Sequence, residues 1–202
     1  MDTKEFYEKN YESSPLKIDS TPCLFMVDFQ MGAFQNFADN MSTDRIGYCI
    51  SLLEFFRAKK LPIVHFWLDE KKWFQRNARR CAYKNPFISS NEILPFFRAR
   101  EGELVIEKPD RSCFFGTEIE HFLIDYQIQN IVLAGATTSG CIRSTVAHGD
   151  MIGYTMILPE ECIWDQSKKV HEANMFDMKY KYAQVWPLVD IQQQINNQIL
   201  SK

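Results

Sequence analysis

Three residues stand where a polar side chain interrupts or ends an apolar stretch, and together they could perform nucleophilic chemistry. The first is Cys141, in Gly135-Ala136-Thr137-Thr138-Ser139-Gly140-Cys141-Ile142-Arg143. Two glycines and small residues allow a tight turn into a helix, which places Cys141 in the first helical turn. Unsatisfied N–H groups and the positive end of the helix dipole collect there. Such a setting lowers a thiol's pKa, and the same N–H groups can receive an oxyanion. The second is Asp28, which closes the apolar run CLFMV. A carboxylate there is costly unless it is paired or used, and used it is a general base; the competing reading is a cap on the following loop. The third is Lys108, which ends LVIEK. By itself it reads as a solvated lysine leaving a sheet, but beside a thiol and a carboxylate it completes a base-assisted nucleophile.

These residues need a scaffold, and the hydrophobic pattern supplies one. Short, non-alternating apolar runs at 23–29, 62–68, 104–108, 130–134, 154–158 and 183–186 read as strands buried on both faces. Helical periodicity falls between them, as with Ile46, Cys49, Ile50, Leu53 and Phe56, and again at 116–126, 139–151, 168–179 and from Ile191 on. Residues 91–100 read as a short helix or turn. Residues 70–88, rich in Lys, Arg and aromatics, show no clear period and read as an irregular excursion. The alternation predicts an α/β fold, three layers α/β/α around a mainly parallel six-stranded sheet, in a single domain spanning 1–202. In such sheets ligands bind beyond the carboxyl ends of the strands, where Asp28, Lys108 and the Cys141 segment all fall.

Composition narrows the classes. The chain has 202 residues, 46% of them apolar, and a net charge of −3 without a basic block, which argues against nucleic acid as a partner. No apolar run approaches the length of a membrane span, and MDTKEFYEKNYESS lacks the apolar core of a signal peptide, so a cytoplasmic location is expected. The six cysteines are scattered without a C-x-x-C pair, which points to neither a zinc site nor a disulfide framework. The second glycine of the G-x-x-x-x-G spacing is followed by Cys-Ile rather than Lys-Ser/Thr, and no G-x-G-x-x-G follows the first strand. Neither a phosphate-binding loop nor a dinucleotide site is expected.

Taken together, VDFQ at 27–30, EKPDRSCFFGTEIEHFL at 107–123, GATTSGCIRSTV at 135–146 and HEANMFDMKYKYAQV at 171–185 resemble the isochorismatase-like cysteine hydrolases, most closely the N-carbamoylsarcosine amidohydrolase branch. The resemblance covers nearly the whole chain. It implies a triad of Cys141 as nucleophile, Asp28 as general base and Lys108 as partner, acting on an amide or ureido carbonyl with loss of ammonia through a thioester. It also implies a non-proline cis peptide at Ala136–Thr137 and an oxyanion hole from the N–H groups of Thr137 and Cys141. Members of the family are mostly homo-oligomers, so a dimer or tetramer is expected.

The sequence departs from the nicotinamidase branch, which binds a metal through an Asp-x-His and a further His. Here the stretch reads HFWLDEKKWF, with His65 before Asp69 and no second histidine nearby. No metal or other cofactor is therefore expected, and His65 reads as core or pocket wall. Arg143 could hold a substrate carboxylate or pair with a partner subunit; Phe34 and Phe114 could wall the site. The basic residues Lys71, Lys72, Arg76, Arg79 and Arg80 read as a solvated face, or alternatively as a carboxylate-binding lid. Competing readings are a vinyl-ether hydrolase of the isochorismatase type, a non-catalytic binding protein, and a redox thiol. The last would need a resolving cysteine, and the sequence offers no adjacent one.

Overall fold

The computed structural model describes residues 3–13, 15–30, 43–77 and 92–200. Helix α1 (Thr3–Asn10) precedes strand β1 (Pro22–Val27). There follow α2 (Thr43–Ala58), β2 (Ile63–Leu68), α3 (Glu70–Asn77), a 3₁₀ turn at Pro95–Phe97, and β3 (Leu104–Lys108). Then come α4 (Ile119–Asp125), β4 (Asn130–Ala136), a π-helical turn at Thr138–Ile142, α5 (Arg143–Met151) and β5 (Thr155–Pro159). A 3₁₀ turn at Glu160–Cys162 leads to β6 (Ile163–Trp164), α6 (Lys168–Lys181), β7 (Gln184–Trp186) and α7 (Leu188–Leu200).

The strands form one parallel sheet in the order β3-β2-β1-β4-β5-β7, with β6 paired to the end of β4. Every residue of β1 and β4 is buried, as continuous apolar strands between two helical layers must be. Alternate side chains serve opposite faces. On one face Phe25, Val27, Phe66 and Leu133 pack with Ile119 and Leu123 of α4, Val146 of α5 and Met178 of α6. On the other, Leu24, Met26, Val132 and Ile157 meet Leu52, Leu53 and Phe56 of α2 and Ile191 and Ile195 of α7. The expected three-layer α/β/α architecture is the observed one.

Several local expectations are corrected. The six expected strands form the sheet, and beside them β6, only two residues long and without a periodicity to announce it, pairs with the end of β4. The excursion at 70–88 begins as a helix, α3, whose Trp73 and Asn77 are buried four residues apart on one face; residues 78–88 lie outside the described residues. The helix expected over 139–151 opens with the π-turn and is α-helical only from Arg143. The one expected from Gly116 starts at Ile119.

A buried polar knot fixes β3 against the rest. Glu103, just before β3, receives a bidentate pair from Arg57 of α2 (Nε to Oε1 2.6 Å, Nη2 to Oε2 2.9 Å). Its Oε2 lies 2.7 Å from His65 Nε2 of β2 and accepts from Arg100 N at 2.9 Å. Burial works against the Glu103 charge, but these partners prevail and hold its pKa down at about 2. Burial pushes the His65 pKa down, with Glu103 opposing it. A carboxylate with a depressed folded-state pKa contributes stability that is present above its ordinary value of 4.5 and is lost as pH falls from there towards 2. Glu103→Gln is therefore expected to cost about 3 kcal/mol at pH 7, by leaving Arg57 imperfectly paired. It should also narrow the difference in Tm between pH 7 and pH 3, which thermal melts at the two pH values would measure.

Candidate active site

The switch point of the sheet lies between β1 and β4, where the order reverses; in open α/β sheets ligands bind beyond the carboxyl ends of the strands at such a point. The chain leaving β1 places Asp28 at φ 59°, a left-handed conformation that Asp tolerates better than most residues. Its N–H donates to Phe66 O of β2 at 2.9 Å, and two residues on the Gln30 amide ties itself to Leu68, donating to the carbonyl at 3.1 Å and accepting from the N–H at 3.2 Å. Lys108 comes from the last position of β3, two strand spacings (about 10 Å) from β1. Only a long side chain spans that gap, and the Lys108 stem lies wholly buried across the end of β2. Its Nζ donates to Asp28 Oδ2 at 2.9 Å and to Cys141 Sγ at 3.2 Å. The other carboxylate oxygen, Asp28 Oδ1, is buried and has no hydrogen-bond partner among the described residues.

The charge count here decides the thiol's state. One ammonium and one carboxylate already balance, so a thiolate would add an uncompensated buried charge. Burial pushes the Cys141 pKa well up and the Asp28 charge adds to this, with Lys108 opposing both. Burial beside a carboxylate thus opposes the lowered thiol pKa that the turn alone suggests. The Lys108 ammonium, penalised by burial, is held charged well above its ordinary range by the Asp28 carboxylate. Cys113 shares this environment and is pushed up to about 12 by burial.

The turn that carries Cys141 begins with a cis peptide at Ala136–Thr137. Gly140 N and Ile142 N both donate to Thr137 O, at 3.0 and 3.1 Å. Gly135 sits opposite Val27 in the β1–β4 register with φ 133°, and a Cβ there would stand 2.0 Å from the Val27 carbonyl oxygen. Gly135→Ala is thus expected to cost about 3 kcal/mol or more, because the obstacle is backbone and the conformation suits only glycine; urea unfolding would measure it.

The remaining candidates separate. Phe114 is core rather than crevice wall: it is 3% exposed, packed on Phe25 and stacked on Tyr154. The Arg143 guanidinium is committed within the chain, to Asn174 Oδ1 at 2.9 Å and to Asp177 of α6. Phe34 lies outside the described residues, as do Arg79 and Arg80. Lys72 pairs with Glu107 and Asp69, and Arg76 lies over the Phe115 ring. His65 lines a small apolar cavity with Phe29, Phe97 and Val105, to which none of Asp28, Lys108 and Cys141 contributes. Among the described residues no three His, Cys, Asp or Glu side chains form a group able to hold a metal. Sequence reasoning missed Asp165 and His171, which bind the turn that carries Cys141. Asp165 closes the apolar run CIW much as Asp28 closes CLFMV, and that repetition was the available signal.

Residues 22–190 match the isochorismatase domain, which is most of the chain. The protein belongs to the isochorismatase family. Among curated relatives, maleamate amidohydrolase of Pseudomonas putida is 33% identical over 190 residues, 87% of either chain. N-carbamoylsarcosine amidase of an Arthrobacter species is 39% identical over 85 residues, 42% of this chain and 32% of its own. A putative isochorismatase-family hydrolase from Chromobacterium violaceum superposes with a TM-score of 0.73 at 24% identity, covering 92% of this chain and all of the other. The isochorismatase fold is therefore shared, and among relatives of this isochorismatase-family chain are amidohydrolases. No described helix is long and apolar enough to cross a membrane.

Proposed function

We propose that this protein is a cysteine amidohydrolase that cleaves the C–N bond of a small amide or carbamoyl compound and releases ammonia. The observation that carries the reading is the buried Lys108 ammonium placed between Asp28 Oδ2 and Cys141 Sγ, at 2.9 and 3.2 Å. The similarity to maleamate amidohydrolase over most of both chains supports the same class of reaction.

In this reading Cys141 is a neutral thiol at rest. As Sγ attacks the carbonyl carbon, Asp28 Oδ1, the unpartnered oxygen, takes the thiol proton. Lys108 keeps the carboxylate in place and neutralises the charge that would otherwise gather on sulfur. The tetrahedral oxyanion is received by the backbone N–H groups of Thr137 and Cys141. Asp28 returns the proton to the departing nitrogen, ammonia leaves, and a thioester remains. Water, deprotonated by Asp28, hydrolyses the thioester, and the sulfur recovers its proton.

An ammonia-release assay over maleamate, N-carbamoylsarcosine, ureidoacrylate and nicotinamide tests the proposal. Turnover of at least one, well above a Cys141→Ala control, is expected. Hydrolysis of isochorismate with no ammonia from any amide would overturn it.

A further inference from the structure

The turn that presents Cys141 is closed by Gly140 N and Ile142 N on Thr137 O, but the Ser139 N–H finds its acceptor outside it. It is a π-turn, a geometry that is rare and concentrated at functional sites. The residue preceding it, Thr137, makes no side-chain capping bond, so the N–H groups that open the turn need acceptors from elsewhere.

Two residues distant in sequence supply what is missing. Strand β6 pairs with Gly135 and Ala136, the last residues of β4, so the chain leaving β6 runs beside the chain leaving β4. That brings in Asp165, 9% exposed. Its Oδ2 accepts from both Ser139 N and Ser139 Oγ, each at 2.8 Å, while Oδ1 accepts from Gln166 N at 2.8 Å. From α6, His171 Nδ1 lies 2.7 Å from the hydroxyl oxygen of Thr138, a fully buried side chain. Both anchors grip residues two or three positions before Cys141, and neither touches sulfur.

We propose that Asp165 and His171 are positioning residues for the nucleophile: by fixing Ser139 and Thr138 they aim Cys141 Sγ at Lys108 and converge the surrounding N–H groups on one point. The proposal rests on the reading of Cys141 as the nucleophile. Displacements of about 1 Å in such a constellation cost on the order of a hundredfold in rate. Asp165→Asn preserves size but turns an NH₂ group towards donors that need an acceptor.

The test compares wild type with Asp165→Asn and His171→Gln. It reads kcat and KM on whichever amide is turned over, the native rate of Cys141 alkylation by iodoacetamide followed by peptide mass spectrometry, and Tm. Asp165→Asn is expected to lower kcat about a hundredfold with KM changed less than about threefold, and to change the alkylation rate at least about tenfold. His171→Gln is expected to lower kcat about tenfold. Wild-type kcat and alkylation rate in both variants would overturn the proposal, as would a fall in Tm alone with kcat intact. Should Asp165→Asn fail to fold, Ser139→Ala, which deletes one of the two bonds to Asp165, is judged with His171→Gln by the same criteria. If the wild type turns over no amide, the proposed reaction fails separately, and the alkylation rates decide this inference.

Discussion

Cys141→Ser is expected to reduce ammonia release by at least about a thousandfold while leaving Tm within a few degrees of wild type. Lys108 Nζ stands 3.2 Å from Sγ, and in the proposed reaction the group that takes the proton is a carboxylate, not an imidazole. A serine hydroxyl surrenders its proton far less readily than a thiol, and Asp28 is a weak base for that task. Removing the attacking atom from a unit of this kind removes most of the catalysis even though binding survives. The structural cost is small, because Ser fills nearly the same space and still accepts from the ammonium. Circular dichroism and a thermal melt would establish that the fold persists. Residual activity within tenfold of wild type would exclude Cys141 as nucleophile.

Lys108→Met is expected to be harmful on two counts. It leaves Asp28, only 7% exposed, without its ion-pair partner. Breaking a buried pair from one side typically costs 3–5 kcal/mol, because the surviving charge is uncompensated. Activity should fall by about a thousandfold or more as the charge balance around sulfur is lost. The informative comparison is Asp28→Asn combined with Lys108→Met. Deleting both charges removes the imbalance, so the double variant should recover a few kcal/mol over Lys108→Met alone, yet stay inactive. A double-mutant cycle from urea unfolding reads the coupling. Strictly additive effects would show that the pair does not interact as the 2.9 Å geometry requires.

The sequence exposed the cluster of Asp28, Lys108 and Cys141 because each member breaks a pattern. Asp28 and Lys108 end apolar strands whose continuous burial makes a charge conspicuous, and Cys141 sits in a glycine-bracketed turn. The helical layer of α2 and α7 was equally legible, since both carry apolar residues at helical spacing. What stayed hidden has physical reasons. Strand β6 is two residues long and gains its identity only by lying against β4. Among its described residues helix α3 buries only Trp73, whose indole N–H donates to Asp110 and whose ring meets Arg111, and Asn77, so its order comes from tertiary partners rather than periodicity. The π-turn and its anchors depend on residues some thirty positions apart. Arg143 looked suited to a carboxylate because its spacing from Cys141 is visible; its partners on α6 are not.

The placement of Lys108 ties the proposed chemistry to an edge strand of the sheet. Among the described residues β3 is hydrogen-bonded on one side only, to β2, and it ends with the ammonium that everything else needs. A slip of one residue along β2 would swing that ammonium to the opposite face. Peripheral strands open more readily than central ones. On warming, turnover should therefore vanish in a fraying event several degrees before the core melts, with amide exchange at Val105–Glu107 quickening while β1 and β4 remain protected.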